Sequence, residues 1–447
     1  VKLAFADLEG DLFPAVWRVA QEGHQVRYWL KDQDDMIQKI GRGMVGKVES
    51  LDDLIGWSPD VVVAYQTPQA THAAKRAGIA AWGATPDSLA LESDRVEAAK
   101  IAGKYGVGVV PLTKRFGTVR AALNFADAHP DERWVVKADG GPKVETSTTH
   151  VTTDGEHLRQ VLAYEAGRGA DTFILQARVS GVEVSTEGWF DYRRGWLRPV
   201  NSTLERKHQQ EGDLGPMVGC AGSIVWTWPD AEPRLWRETL KGLTPWLEDV
   251  KYVGPIDVNA IIDYETHRPH FLEFTPRLGW SAFNALMAGI TGNLGEFFVA
   301  LGHGEADRLP DFRHPFMGSV MVSIPDAADV PLTAPYHAVR HIQPKNVWLD
   351  KGVLRSTGAG AESGFIGVFE ATDAGSTLDE VRSRIYGREI PRISAASELA
   401  YRRDIGERAS MDLMALEAWG YQVYPAEDLR PSTRDRRAVP SPVAVSA

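Results

Sequence analysis

One cysteine, Cys220, stands in a chain of 447 residues. That scarcity excludes an intrachain disulfide and any cysteine-based zinc cluster, and it fits a reducing, intracellular setting. Cys220 lies in a glycine-bounded loop with no lysine or histidine immediately beside it, so it reads as a buried, inert thiol. No apolar run approaches the roughly 20 residues that a membrane helix needs. No charged-then-apolar signal segment opens the sequence, and the expectation is a soluble, cytoplasmic protein without a membrane partner. Basic residues are in deficit: 49 Lys and Arg against 60 Asp and Glu leave a formal charge of -11. Broad adhesion to nucleic acid or to an anionic bilayer is therefore disfavoured, and nucleic acid is not indicated as a partner. Internal repeats and long low-complexity tracts are also missing. What remains is 43% hydrophobic and 24% charged, values that imply a packed core rather than a disordered or coiled-coil chain.

At roughly 100 to 200 residues per domain, this length predicts about two to four folding units. A strand over residues 2–6, helical spacing of Phe13, Val16, Trp17 and Ala20, and strands over 25–29, 61–64 and 80–82 describe a parallel α/β domain in residues 1–90. A helix over 67–78 belongs to it. Residues 91–312 mix helices with antiparallel strands: a helix over 93–104 with Ser93 or Asp94 as cap, strands over 134–137 and 173–175, and a hairpin pairing 253–262 with 270–274. Residues 313–408 form a third, mixed region, with strands over 317–324, 353–358 and 365–370 and a helix over 377–386. Residues 409–447 supply a last helix over 411–419 and a mobile tail rich in Pro, Arg and Ser. The fold class is thus multidomain, α/β with α+β.

Two acids interrupt apolar strands in the hairpin. Residues two apart share a strand face, so Asp257 projects with Asn259, and Glu273 with Thr275 and Arg277, while Ile256, Val258, Leu272 and Phe274 face the core. If the strands pair, the carboxylates converge as hard oxygen ligands suited to Mg²⁺ with substrate phosphates. The plainer reading is a solvated face with Arg277 in a surface ion pair. Lys137 ends a Trp-Val-Val strand beside Gly140 and Gly141, where an ammonium and backbone amides can cradle phosphate. His24, His150 and His208 have no metal or triad spacing, and Trp189, Trp196, Trp226 and Trp228 are read as core.

Taken in order, Asp94-Arg95, Lys137-Ala-Asp-Gly, Gly181-x-Glu183, Asp257 and Glu273-Phe-x-Pro-Arg277 resemble the ATP-grasp ligases, and among them the phosphoribosylamine-glycine ligases (glycinamide ribonucleotide synthetases). Residues 213–222 and Tyr401-Arg402-Arg403-Asp404-Ile405-Gly406 extend the likeness to all but about the last 40 residues. The resemblance implies an ATP-grasp fold, with residues 1–90 as the preceding α/β domain and a mixed carboxy-terminal domain. It implies ATP and Mg²⁺ as cofactors: Arg95 and Lys137 on the phosphates, Gln176 near the adenine, Glu183 on the ribose hydroxyls, and Asp257 and Glu273 on the metal, to which Asn259, on the Asp257 face, adds a further ligand in compensation for Thr275. Arg277 and Lys207 are the expected catalytic cations. The implied reaction joins a small-molecule carboxylate, such as an amino acid, to an amine through an acyl phosphate. Oligomeric state is not legible.

Three departures qualify that reading. Thr275 stands where the family commonly has Asn. The phosphate-covering loop carries Lys143 out of step, followed by Val144-Glu-Thr-Ser-Thr-Thr149. The family's Gly- and Arg-containing turn for phosphoribosylamine is replaced by Ala6-Asp7-Leu8-Glu9-Gly10-Asp11, three carboxylates that repel a phosphate. The expectation is accordingly a different amine acceptor. A non-catalytic nucleotide- or partner-binding ATP-grasp protein, and a literal phosphoribosylamine-glycine ligase, are the alternatives.

Overall fold

The structure is a computed structural model and describes residues 1–139, 149–228, 232–323, 347–349, 352–355, 358–361, 369–393 and 399–421. The loop at 140–148 with Lys143, parts of the strands expected over 317–324, 353–358 and 365–370, and the tail from 425 lie outside the described residues.

Alternating apolar strands and amphipathic helices build a five-stranded parallel sheet in the order Gly46–Lys47, Gln25–Leu30, Lys2–Asp7, Val61–Tyr65, Ala80–Gly83. Buried Leu3, Phe5, Val61 and Val63 fill one face against Phe13, Val16 and Trp17 of the helix Phe13–Gln21. The strand order reverses between Lys2–Asp7 and Val61–Tyr65, so a crevice opens beyond their carboxyl ends, where open α/β sheets bind ligands.

A four-stranded antiparallel sheet orders Thr113–Phe116, Thr172–Ala177, Trp134–Asp139 and Thr149–Val151. Its Phe116, Trp134, Val136, Phe173 and Leu175 pack on the helices Val119–Asp127 and Gly155–Arg168. A nine-stranded sheet runs from the hairpin strands Pro269–Thr275 and Val253–Asp263 through Gly181–Asp191, Gly195–Gln210 and Leu214–Thr227 to Phe316–Ser323, Phe369–Gly375 and Val347–Leu349, with Ala400–Tyr401 beside Phe316–Ser323. Trp189 and Trp226 are fully buried within it and Trp228 nearly so, as expected of core aromatics, while Trp196 is half-buried.

Several elements differ from their sequence expectation. The helix expected over 93–104 is Arg95–Tyr105, capped by Asp94, and a helix not anticipated, Pro86–Ser93 capped by Thr85, precedes it. In the hairpin a bulge after Asn259 sets Asn259 opposite Glu273 and Ala260 opposite Phe271, which passes over Leu272. Phe271 is therefore buried in the core and Leu272 is half-buried, a shift of face that strict alternation does not anticipate. No helix among the described residues is long and apolar enough to cross a membrane.

Candidate active site

A cleft of ≈ 490 Å³ lies where the nine-stranded sheet meets the amino-terminal domain. Its floor is the polar face of the hairpin. Register places Asp257 opposite Thr275 and Asn259 opposite Glu273, so the four side chains expected to converge do so. Asp257 and Asn259 are 6% exposed and Asp257 Oδ1 has no hydrogen-bond partner in the chain. Burial, reinforced by the Glu205 charge, pushes the Asp257 carboxyl up to about 7. An orphaned carboxylate oxygen beside an amide and a second carboxylate is a hard-oxygen set that fits Mg²⁺. Among the described residues no group of three or more His, Cys, Asp or Glu forms a metal cage.

Cations surround Glu273. Arg95 donates to its Oε2 at 3.0 Å, and Lys207 Nζ lies 3.6 Å from its Oε1 and 2.8 Å from Glu183 Oε1. Arg95 opens its helix because Asp94 accepts from the amides of Val96 and Glu97 and from Arg115, which aims the first residue of the helix at the cleft. Burial alone raises a carboxyl, but Lys207, Lys137 and Arg95 outweigh it and hold Glu273 at about 2. Lys137 is nearly buried on its strand, and that burial, with the Arg95 charge, lowers its ammonium to about 8. Gln176 is buried opposite Val135, two residues along the same face from Lys137. This face is opposite the one carrying Trp134, Val136 and Leu175, so Lys137 and Gln176 are set away from the helices.

Arg277, expected as a catalytic cation, lines the cleft. Its Nε and Nη2 donate to Glu92 at 2.8 Å and its Nη1 to the Tyr65 hydroxyl at 2.9 Å. It lines the cleft with its donors committed to a clamp between the two domains. The acidic turn also needs correction. Asp7 is fully buried and accepts from the Tyr28 hydroxyl at 2.6 Å and the Leu12 amide at 2.8 Å, so it braces its own turn. Gly10 takes φ 95° there, a left-handed conformation. Glu9 is exposed, and of the three acids Asp11 lines the cleft. Cys220 is buried at the cleft edge, its thiol pushed far above the ordinary range by burial. His24 and His150 serve structure, with partners Asn293 and Glu165.

Sequence reasoning passed over Asp11's partners in the crevice: Gln66, Glu92 and Trp280. Gln66 carried a usable signal, for it directly follows a carboxyl strand end, and its φ of 51° marks it as strained.

No family model matches the chain. It is 24% identical over 245 residues to the chloroplastic phosphoribosylamine-glycine ligase of Arabidopsis thaliana, a match covering 52% of this chain and 44% of that one. The chain spans less than half the length of the curated relatives it matches. Among solved structures, the phosphoribosylamine-glycine ligase of Thermotoga maritima superposes with a TM-score of 0.67 at 16% identity, covering 91% of this chain and 100% of the other. The biotin carboxylase domain of Hydrogenobacter thermophilus 2-oxoglutarate carboxylase, solved with MgADP and bicarbonate, gives 0.63 at 11% identity, covering 94% and 93%. The chain has the ATP-grasp fold. The ATP-grasp cleft thus unites residues of the preceding α/β domain, the Arg95 helix and the nine-stranded sheet.

Proposed function

We propose that the protein is an ATP- and Mg²⁺-dependent ligase that joins a carboxylate, such as an amino acid, to an amine other than phosphoribosylamine. The observation that carries this reading is the convergence of Arg95, Lys207, Glu273, Asp257 and Asn259 on one cleft. A carboxylate is a poor electrophile, so its oxygen first takes the terminal phosphoryl group as ADP leaves, and the amine then displaces phosphate from the acyl phosphate. Arg95 and Lys137 hold the phosphates, Gln176 meets the adenine, and the Glu183 carboxylate accepts from the ribose hydroxyls. Asp257, Glu273 and Asn259 would hold Mg²⁺, which would supply neutralisation of phosphate charge. Lys207 screens the carboxylates and faces the transferred group, while Arg277 fixes Glu92 at the crevice. These residues contribute position and charge rather than covalent chemistry.

The likeness to phosphoribosylamine-glycine ligases supports the reaction class, and the Asp11 carboxylate in the crevice supports a different acceptor. ADP release measured over amino acids crossed with amines tests the reading. Release that requires one member of each set is expected. Absence of release with every pair, together with no Mg-ATP-dependent rise in melting temperature, would remove the ligase assignment.

A further inference from the structure

Glu205 lines the cleft two residues before Lys207 on the strand Gly195–Gln210, directly opposite Ser223, and takes no part in the nucleotide and metal sets. Its neighbours in the cleft are committed: Glu273 is held by Arg95 and Lys207, Glu92 by Arg277, and Asp257 falls to Mg²⁺. Glu205 makes no hydrogen bond or ion pair among the described residues. It is half-buried, so the cleft reaches its carboxylate. The charges that bear on it come from two sides, Lys207, Glu183 and Glu273 from the phosphate end and Arg277 from the clamp at the acceptor crevice. An uncommitted carboxylate thus stands between the place of the transferred phosphoryl group and the place of the amine.

We propose that Glu205 is the general base of the ligation step, accepting the proton that the amine sheds as it attacks the acyl phosphate. The assignment rests on the ligase reading. In that step the nitrogen lone pair forms the C–N bond, the C–O bond to phosphate breaks and phosphate leaves with its electron pair, and the N–H proton passes to the Glu205 carboxylate, which returns it to water. An amine that enters as ammonium loses its first proton by the same route. The other titratable groups here are poor bases. No histidine lines the cleft among the described residues. Burial keeps the proton on the Tyr65 hydroxyl and on the Cys220 thiol. Burial would lower the Lys207 ammonium, but Glu183, Glu273 and Glu205 outweigh it and hold the charge. For Glu205 itself, burial together with Glu183 and Glu273 raises the carboxyl above its ordinary value against Lys207 and Arg277, which makes it a stronger base than a solvated carboxylate.

Two nucleophiles that differ in their need for a base test it. The full chain is given Mg-ATP, the twenty protein amino acids as carboxylates, and either hydroxylamine or ammonium chloride. Hydroxylamine is neutral near pH 7.5 and reacts with acyl phosphates unaided, whereas ammonia must lose protons to form the amide. Glu205→Gln should form hydroxamate at the wild-type rate and primary amide about 10²-fold more slowly, with the loss in kcat rather than in KM for ammonium. Glu205→Asp should recover part of that loss. Should Glu205→Gln not fold, Glu205→Ala with added formate decides, and formate is expected to restore amide formation. An equal loss with both nucleophiles, no loss with ammonia, or no rescue of Glu205→Ala by formate would each overturn the assignment. No hydroxamate from the wild-type protein would instead remove the ligase reading itself, and this assignment with it.

Discussion

Glu273 accepts from Arg95 and lies near Lys207, and its carboxyl, which burial alone would raise, is held at about 2 by Lys207, Lys137 and Arg95. It therefore stays ionised at any working pH. Glu273→Gln removes one negative charge and leaves three cations facing one another, so ADP release should fall by about 10²-fold or more, with circular dichroism unchanged. Wild-type release in that variant would take Glu273 out of the mechanism. Asp257 differs, because burial and Glu205 push it up to about 7. Its folded form holds a proton that the unfolded form has lost between about pH 4 and 7, so this group's contribution to stability falls as pH rises through that window. Under the proposed function, Mg²⁺ would displace the same proton. The Mg²⁺ concentration for half-maximal activity should then rise by up to about tenfold per pH unit below about 7, and a Mg²⁺ requirement flat from pH 5.5 to 7.5 would contradict the assignment of Asp257 as ligand. These two acids were legible because each breaks an apolar strand. Glu187, set between Thr186 and Gly188, interrupts no apolar run, and Asp11, Gln66 and Glu92 are united only by the folded crevice.

Three long strands, Gly181–Asp191, Gly195–Gln210 and Leu214–Thr227, escaped the sequence reading although the hairpin of Val253–Asp263 and Pro269–Thr275 beside them did not. Their cleft face is polar where a strand pattern is sought by its apolar members, and a register shift between Glu187 and Trp189 breaks the alternation. The hairpin tip shows how the carboxy-terminal motif acts at this scale. Arg402, 1% exposed at its side chain, reaches Asp404 at 2.6 Å, Asp213 at 2.9 Å and the His208 carbonyl at 2.9 Å, while Asp404 also accepts from the Gly212 amide. It ties down the turn between the strand that carries Lys207 and the one that carries Cys220. Arg402→Ala should cost about 3 kcal/mol, the lower end for breaking a buried pair, because Asp213 is partly solvated. Urea denaturation measures it, and a loss under 1 kcal/mol would show the clamp to be dispensable.

Across the whole molecule, the amino-terminal parallel sheet was the most legible part, since buried parallel strands are short apolar runs separated by helical spacing. Its join to the ATP-grasp sheet was not, because the Arg277, Glu92 and Tyr65 contacts span residues far apart in the chain. Under the proposed function, that join would set the acceptor. The strand order reverses at the crevice, where Asp11 and Gln66 follow the two central strand ends and line the cleft. Asp7, turned inward onto Tyr28, braces the turn from within. An acidic residue at the mouth repels a phosphate and attracts an ammonium or another cationic amine. With phosphoribosylamine and glycine, kcat/KM should therefore fall far below the lower end of ordinary enzyme values, roughly 10⁴ M⁻¹s⁻¹. Asp11→Asn should weaken use of a cationic amine by about tenfold, one unit charge at close range, while leaving acyl phosphate formation, trapped with hydroxylamine, unchanged. Efficient glycinamide ribonucleotide formation by the wild-type protein would instead mean that the phosphate is held by residues outside this acidic turn.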